Sequence, residues 1–302
     1  MGNTDAYYKK TVKYEYRGHN LQFRVSQELF SSNDIDNGTQ RLLRTLTDEK
    51  IDNFNKALDL GCGYGPLGIA LKTVHLTGEV HMTDKDALAL EYSRQNADLN
   101  NLEGIKIYGS LGYDDIQEDD FDLIVSNIPA KVGKSVLAHL LLDAQFHLQP
   151  QGKVAIVVID AIADFVTNLL SSNPNISILF QKSWPGHVVL HYKFISNKKT
   201  IKQKSSLLEG GIYDREKKDF IVESIKLSMR TTYNLPEFDT LSYDTELLLN
   251  NLPEQRQESV DSVTVFNPGQ GFIPVCISKL MNIKNINLID RDLQALKITK
   301  EN

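Results

Sequence analysis

The stretch "ALDLGCGYGPLG" occupies residues 57–68, and "VTVFNPGQGFIP" occupies residues 263–274. In the first, an acid, Asp59, is followed by Gly61, Gly63 and Gly65 at alternate positions. Glycine lets a backbone turn with positive φ and lets a ligand approach with no Cβ in the way. Where a strand enters such a turn and a helix leaves it, the helix N-terminus offers unpaired N–H groups and a partial positive charge to an anion. Asp84 stands 21 residues after Gly63, the spacing of an acid that accepts from ribose hydroxyls at the end of the next strand. A dinucleotide fingerprint requires glycine three residues after Gly63, where this chain has Pro66. Asp59 suits a ligand that carries an ammonium group. The expectation is a cofactor site for a nucleoside with a cationic end.

The flanking pattern supplies the elements that must position these residues. "KALDL" (56–60) reads as a strand and "PLGIALKTV" as the helix after the turn. "EVHMTD" (79–84), "IKIYGS" (105–110), "FDLIVSN" (121–127) and "GKVAIVVID" (152–160) read as further strands. Helices are expected over 86–101 and 134–148. Apolar strands alternating with amphipathic helices make a parallel sheet covered on both faces. "ISILFQKSW" and "HVVLHYKF" are joined by Pro185-Gly186 alone, too short for a crossover, so they form an antiparallel hairpin at one edge. The polar, basic segment "SNKKTIKQKSSLLEGG", 196–211, reads as a linker.

The two glycine turns lie 206 positions apart, and that offset holds without a gap from residue 39 to residue 96. It pairs Thr39 with Thr245, Leu42 with Leu248, Asp84 with Asp290, Asp86 with Asp292 and Asn96 with Asn302. An internal duplication with the period of a whole domain is expected. The second copy has Val265 at the position of Asp59 and Asn267 at that of Gly61, which keeps a corner and removes its chemistry. It halts inside its second helix, as a truncated domain would.

The chain has 302 residues, 41% of them hydrophobic, enough for two cores. Cys62 and Cys276 fit neither a disulfide framework nor a metal cluster, which points to a reducing, cytoplasmic setting without metal. No signal peptide opens the sequence and no run is long enough to span a bilayer, so no membrane partner is expected. The net charge of −6 argues against indiscriminate nucleic-acid binding without excluding a local basic face.

"DLGCGYGPLGIAL" resembles the first motif of class I S-adenosylmethionine-dependent methyltransferases. "LFSSNDIDNGTQRLL" (29–43) resembles the segment before that motif in the small-methyltransferase-domain family. This family includes ribosomal-RNA guanine-N2 methyltransferases, some built as duplicated domains with one degenerate copy. The likeness covers roughly residues 20–195 and, more faintly, 240–302. It implies a Rossmann-like, mostly parallel seven-stranded sheet with an antiparallel terminal hairpin. The domains would be 1–195, catalytic, and 212–302, a partial degenerate copy, either side of the linker.

The resemblance further implies S-adenosylmethionine as cofactor and ribosomal RNA as partner, with the oligomeric state open. Gly61, Gly63 and Gly65 would follow the methionine portion, Asp59 its amino group and Asp84 the ribose. Thr39 would cap the cofactor end. Ser110 stands where many relatives place an acid for the adenine amine. "SNIPAKVGK" (126–134) stands where the family has Asn-Pro-Pro-aromatic, which makes Asn127 and Pro129 the catalytic candidates and sets Asn127 beside the cofactor too. Ile128 replaces the first proline and Ala130 the aromatic residue that would stack on a base. Lys9, Lys10, Lys131, Lys134 and the linker lysines form a candidate RNA-facing set. Trp184 is expected to pack on the sheet. Two alternatives stay open: methylation of a small metabolite or protein side chain, favoured by Ala130 and a pI of about 5.7, and a cofactor-binding module without catalysis.

Overall fold

The computed structural model describes residues 5–51, 53–196, 208–222, 225–252 and 259–302. The chain divides into two compact units: Met1–Ala130 with Leu137–Lys204, and Lys131–Val136 with Ser205–Asn302.

The first unit opens with a hairpin, β1 (Tyr8–Tyr16) and β2 (His19–Ser26), paired antiparallel. Its two-residue turn, Arg17-Gly18, has positive φ at both positions, 50° and 80°, the geometry that matches strand twist. Val12, Tyr16, Leu21, Phe23 and Val25 are buried beneath it. Helix α1 (Asn37–Asp48) follows, N-capped by the Asp36 carboxylate, which accepts from Thr39 N. One face carries the fully buried Leu42, Leu43 and Leu46, while Arg44 and Asp48 are exposed on the other.

The alternating section then runs β3 (Lys56–Leu60), α2 (Pro66–Val74), β4 (Glu79–Asp84), α3 (Ala87–Leu99), β5 (Ile105–Gly109), β6 (Phe121–Asn127), α4 (Lys134–Leu142), β7 (Leu148–Ile159), α5 (Asp160–Ser171), β8 (Ile176–Trp184) and β9 (His187–Phe194). The seven strands from β3 onward form one sheet in the order β5-β4-β3-β6-β7-β9-β8. β9 is antiparallel to both its neighbours; the pairs β5-β4, β4-β3, β3-β6 and β6-β7 are parallel. The edge hairpin is therefore where the two-residue connection requires it. Strands buried on both faces supply the core: Leu58, Met82, Leu123, Val125, Ala155 and Val157 are nearly inaccessible. Each large aliphatic side chain buried in this way contributes roughly 1.5–3 kcal/mol.

Two local differences from the sequence expectation stand out. α4 stops at Leu142 rather than 148, and a short 3-10 turn, Asp143–Phe146, carries the chain to β7. α5 was not anticipated, although Ile162, Ala163, Val166, Leu169 and Leu170 recur at helical spacing; Ala163, Val166 and Leu170 are its buried residues.

The second unit contains β10 (Asp214–Val222), β11 (Ile225–Thr232), α6 (Tyr243–Asn251), β12 (Val260–Phe266), α7 (Phe272–Leu280), β13 (Ile283–Ile289) and α8 (Leu293–Glu301). β10 and β11 are an antiparallel hairpin, and β12 and β13 a parallel pair. A displacement of 206 residues carries the ends of β1, β2 and α2 onto those of β10, β11 and α7. The correspondence thus reaches back to residue 8, beyond the span visible in sequence. It extends to side-chain bonds: Asn96 clamps Arg24 N and O and Tyr64 O, while Asn302 clamps Arg230 N and O and Gln270 O. Of the expected linker, residues 197–207 lie outside the described residues, and Leu208–Gly211 form a turn with Leu208 buried.

Candidate active site

β3 lies between β4 and β6, where the order of strand addition reverses. In open α/β sheets the crevice outside the carboxyl ends of such strands binds ligands. Asp59, the glycine turn, Asp84 and Asn127 all sit at those ends.

The turn is tightly held. Gly61 N and Cys62 N donate to Thr83 O at 2.8 and 2.9 Å, and Gly63 N donates to Asp84 Oδ2 at 2.9 Å. Gly61, Gly63 and Gly65 have φ of 74°, 58° and 93°, the left-handed region that favours glycine. They differ in what a Cβ would meet. At Gly61 and Gly63 it would enter open space, whereas at Gly65 it would strike Met82 Cε at 2.6 Å and Ile69 Cδ1 at 3.0 Å. Gly61 and Gly63 therefore leave their backbone faces open. Gly65 is a packing glycine that lets α2 start against β4.

Asp59 is 1% exposed. Its Oδ2 accepts from Gly68 N at 2.8 Å, and its Oδ1 has no hydrogen-bond partner. Burial pushes its carboxyl up to about 7, with the Gly68 N–H opposing and the Asp84 charge reinforcing the shift. A buried oxygen without a donor calls for one, and an ammonium group supplies it. Asp84 accepts from Gly63 N and from Asp86 N at 3.0 Å, one bond to each oxygen, so both retain lone pairs for hydroxyls. Burial raises its pKa as well.

Asn127 ends β6. Its Nδ2 donates to Asp36 Oδ2 at 2.9 Å and to Thr39 Oγ1 at 3.1 Å. A carboxylate can only accept, so the Asp36 contact fixes which way the amide faces. Oδ1 consequently points away from Asp36 and accepts no hydrogen bond among the described residues. Asp36 thus caps α1 and orients Asn127 with one oxygen. Sequence reasoning missed it; its N-cap position before "NGT" was the available signal.

Other expected site residues are placed as follows. Thr39 lies in the first turn of α1, and its hydroxyl meets Asn127. Ser110 turns its hydroxyl into its own loop, donating to Gly112 O at 2.7 Å and accepting from Asp115 N at 3.2 Å. Its N–H donates to Asp84 O at 3.0 Å, so Ser110 stands beside Asp84 with its hydroxyl engaged in the loop. Pro129 is exposed after Ile128, whose side chain is 3% exposed and whose N–H donates to Val157 O at 2.9 Å. A proline at 128 could not make that bond. Of the candidate basic set, Lys9 is engaged with Ser32 and Asn33, Lys131 and Lys134 belong to the other unit, and the linker lysines lie outside the described residues.

The corresponding corner of the second unit keeps its geometry. Asn267, Gly269 and Gly271 have φ of 51°, 57° and 95°. Asn267 holds the left-handed region that its short polar side chain tolerates. The donor–acceptor pair Asp59–Gly68 is replaced by Val265 and Pro274, neither of which has the group to be satisfied. Asp290 retains the bond to its N-cap, Asp292 N, at 2.8 Å.

Residues 20–182, more than half of the chain, match the family described as "methyltransferase small domain". The chain belongs to this family. It is a class I, S-adenosylmethionine-dependent methyltransferase by that membership, and the orphaned Asp59 oxygen and the open faces of Gly61 and Gly63 fit such a cofactor. Among curated relatives, the chain is 29% identical over 151 residues to YbxB, an uncharacterised protein of Bacillus subtilis (strain 168), covering 50% of this chain and 74% of that one. It is 40% identical over 142 residues to the ribosomal RNA small subunit methyltransferase C of Haemophilus influenzae (strain PittEE), covering 46% of this chain and 42% of the relative. The chain thus spans less than half the length of that methyltransferase. A solved T. thermophilus 16S rRNA N2 methyltransferase, RsmC, in complex with AdoMet and guanosine, superposes with a TM-score of 0.51 at 20% identity, covering 61% of this chain and 50% of that one. This likeness shows the fold. Among the described residues no helix is long and apolar enough to cross a membrane.

Proposed function

We propose that the first unit transfers a methyl group to an exocyclic amine of an RNA base, namely guanine N2 in ribosomal RNA. The observation that carries this reading is the fixed amide of Asn127, with its N–H groups held by Asp36 and Thr39 and its carbonyl turned outward as an acceptor. An exocyclic amine is a poor nucleophile because its lone pair is delocalised into the ring. Hydrogen bonds from the amine to Asn127 Oδ1 and to the next backbone carbonyl orient that lone pair. S-Adenosylmethionine, when bound, supplies a methyl already activated on a sulfonium, so positioning for in-line attack does most of the work. Asp59 would hold the amino group, Asp84 the ribose hydroxyls, and Gly61 and Gly63 would let the ligand lie against the backbone. Pro129 would stiffen the loop that follows Asn127. The relative named as a ribosomal RNA methyltransferase supports the choice of RNA.

Ala130 favours a second reading, a metabolite or protein amine, because it offers no ring to stack on a base. We further infer that the segment 212–302 is a worn duplicate that has lost cofactor binding and supports the catalytic domain. The test compares tritiated-methyl incorporation from the cofactor into ribosomal subunits, naked ribosomal RNA and a metabolite extract. Label in a guanine of ribosomal RNA is expected; label in the metabolite extract alone would transfer the reading to the second class.

A further inference from the structure

The outer face of α1, the tip of the β1–β2 hairpin and the end of β8 enclose a surface groove of about 480 Å³. We propose that this groove holds the single-stranded RNA flanking the target base, an inference that rests on the RNA-base reading above. Two aromatic rings and four cations carry it. Tyr14 is half-buried, with its ring nearly parallel to that of Tyr16, centres 6.5 Å apart and 13° between the planes. Tyr16 is anchored through its hydroxyl to Thr47 Oγ1 at 3.0 Å, and Tyr14 itself packs partly on the core. Trp184, the one tryptophan in the chain, packs against the core yet stays partly exposed in the groove. The Arg41 guanidinium lies 5.8 Å from its ring centre and Lys182 Nζ 5.0 Å. Arg17 and Arg44 line the same groove.

Aromatic platforms interleaved with cations are what a flexible single strand requires: bases stack on the rings while phosphates meet the charges. A duplex keeps its bases stacked internally and cannot use Tyr14 or Trp184. The local sign is the reverse of the chain's net charge of −6, with Asp48 as the acid in the lining. Asp48 sits 3.6 Å from Arg44 in a pair whose side chains are 60% and 80% exposed, and so solvated an ion pair yields readily to a phosphate. Arg41 is fixed in place by donating to Pro185 O at 2.8 Å and by contact with His187 Nδ1 at 3.0 Å.

The groove also leads to the right place. Asn37 lines it, and the preceding residue, Asp36, holds the Asn127 amide. From there the 12 residues of α1 extend about 18 Å, room for a short run of nucleotides leaving the target base. None of these groups was in the basic set expected from sequence, because three distant segments build the groove.

The experiment titrates the full chain into a short, mixed-sequence, fluorescein-labelled single-stranded RNA and follows anisotropy at several salt concentrations, with a duplex of the same sequence alongside. Wild type is expected to prefer the single strand. The double variant Arg44→Glu/Lys182→Glu should bind about tenfold more weakly, with a log–log salt slope shallower by about two. Trp184→Ala should lose about tenfold in affinity. S-Adenosylmethionine affinity, measured by calorimetry, should be unchanged in every variant and reports that the fold is intact. Arg44 and Lys182 are exposed, so the charge reversal decides the matter should Trp184→Ala fail to fold. Wild-type RNA binding with unaltered binding by the double variant overturns the groove and leaves the RNA reading standing. Equal affinity for the duplex overturns the single-strand assignment. A wild type that neither binds nor methylates RNA removes the underlying reading and the groove with it.

Discussion

Replacing Asp59 by asparagine should make the ligand-free protein more stable at pH 8 while destroying its affinity for S-adenosylmethionine. The carboxyl is raised from the usual 3.8 to about 7 by burial, and Oδ1 has no donor. The folded state therefore binds this proton more tightly than the unfolded chain does. Stability from this group is fully present below pH ~4 and is lost as pH rises through about 7, a change of roughly 4 kcal/mol for three units. An asparagine keeps an oxygen for Gly68 N, is never charged, and so lacks that slope. Its amide N–H would lie where Oδ1 lies, a buried donor without a partner, which costs about 1–3 kcal/mol. The net expectation is a gain of ~1–3 kcal/mol at pH 8 that shrinks and reverses by pH 5. Denaturant unfolding of both proteins from pH 5 to 8, with calorimetric titration of the cofactor, measures both effects. Parallel stability profiles for wild type and Asp59→Asn would refute the reasoning, since they would mean the carboxyl is not held neutral by its burial.

The remaining expectations concern the same crevice. Gly63→Asp should abolish cofactor binding by setting a carboxylate on the open face of the turn, whereas Gly269→Asp at the matching position should leave titration calorimetry unchanged; a loss of binding on the second substitution would refute the division of labour between the units. Asp84→Ala should weaken cofactor affinity by roughly 100- to 10,000-fold, on the scale of two lost charge-assisted hydrogen bonds at about 1.5–3 kcal/mol each, and leave kcat at saturation largely intact, as steady-state kinetics would show. Asp36→Ala should lower Tm by removing the α1 cap, worth about 1 kcal/mol, and should lower kcat by releasing the Asn127 amide. An Asp36→Ala enzyme with wild-type kcat would show that the amide is fixed without it.

The glycine corner was legible because its signals are local: an apolar strand, glycines at set intervals and a helix all fall between residues 56 and 74. The edge hairpin was legible for an equally local reason, since Pro185-Gly186 admits only an antiparallel return. What a glycine faces is not local. Gly61 and Gly65 look alike in sequence, and only the position of Met82 shows that one faces open space and the other the core. The pairing of Asp36 with Asn127 spans 91 residues and depends on the N-terminus of α1 meeting the end of β6. Ser110 was placed by analogy of position; its N–H does meet Asp84 O, while the contacts of its hydroxyl with Gly112 and Asp115 depend on how the loop folds back. The β1–β2 hairpin had its alternation in sequence, obscured by a strand whose outer face is rich in lysine and tyrosine.

Asn127→Ala measures the central claim most directly. If the carbonyl of Asn127 orients the amine nucleophile, its benefit is realised at the transition state, so kcat falls while cofactor affinity stays near wild type. The loss of one such positioned contact is ~2–4 kcal/mol, or roughly 30- to 1000-fold in rate. Tritiated-methyl turnover on ribosomal RNA, with cofactor affinity measured in parallel, should show a kcat reduced within that range at unchanged affinity. Wild-type kcat in Asn127→Ala would contradict the account and leave "SNIPAKVGK" as an ordinary strand exit.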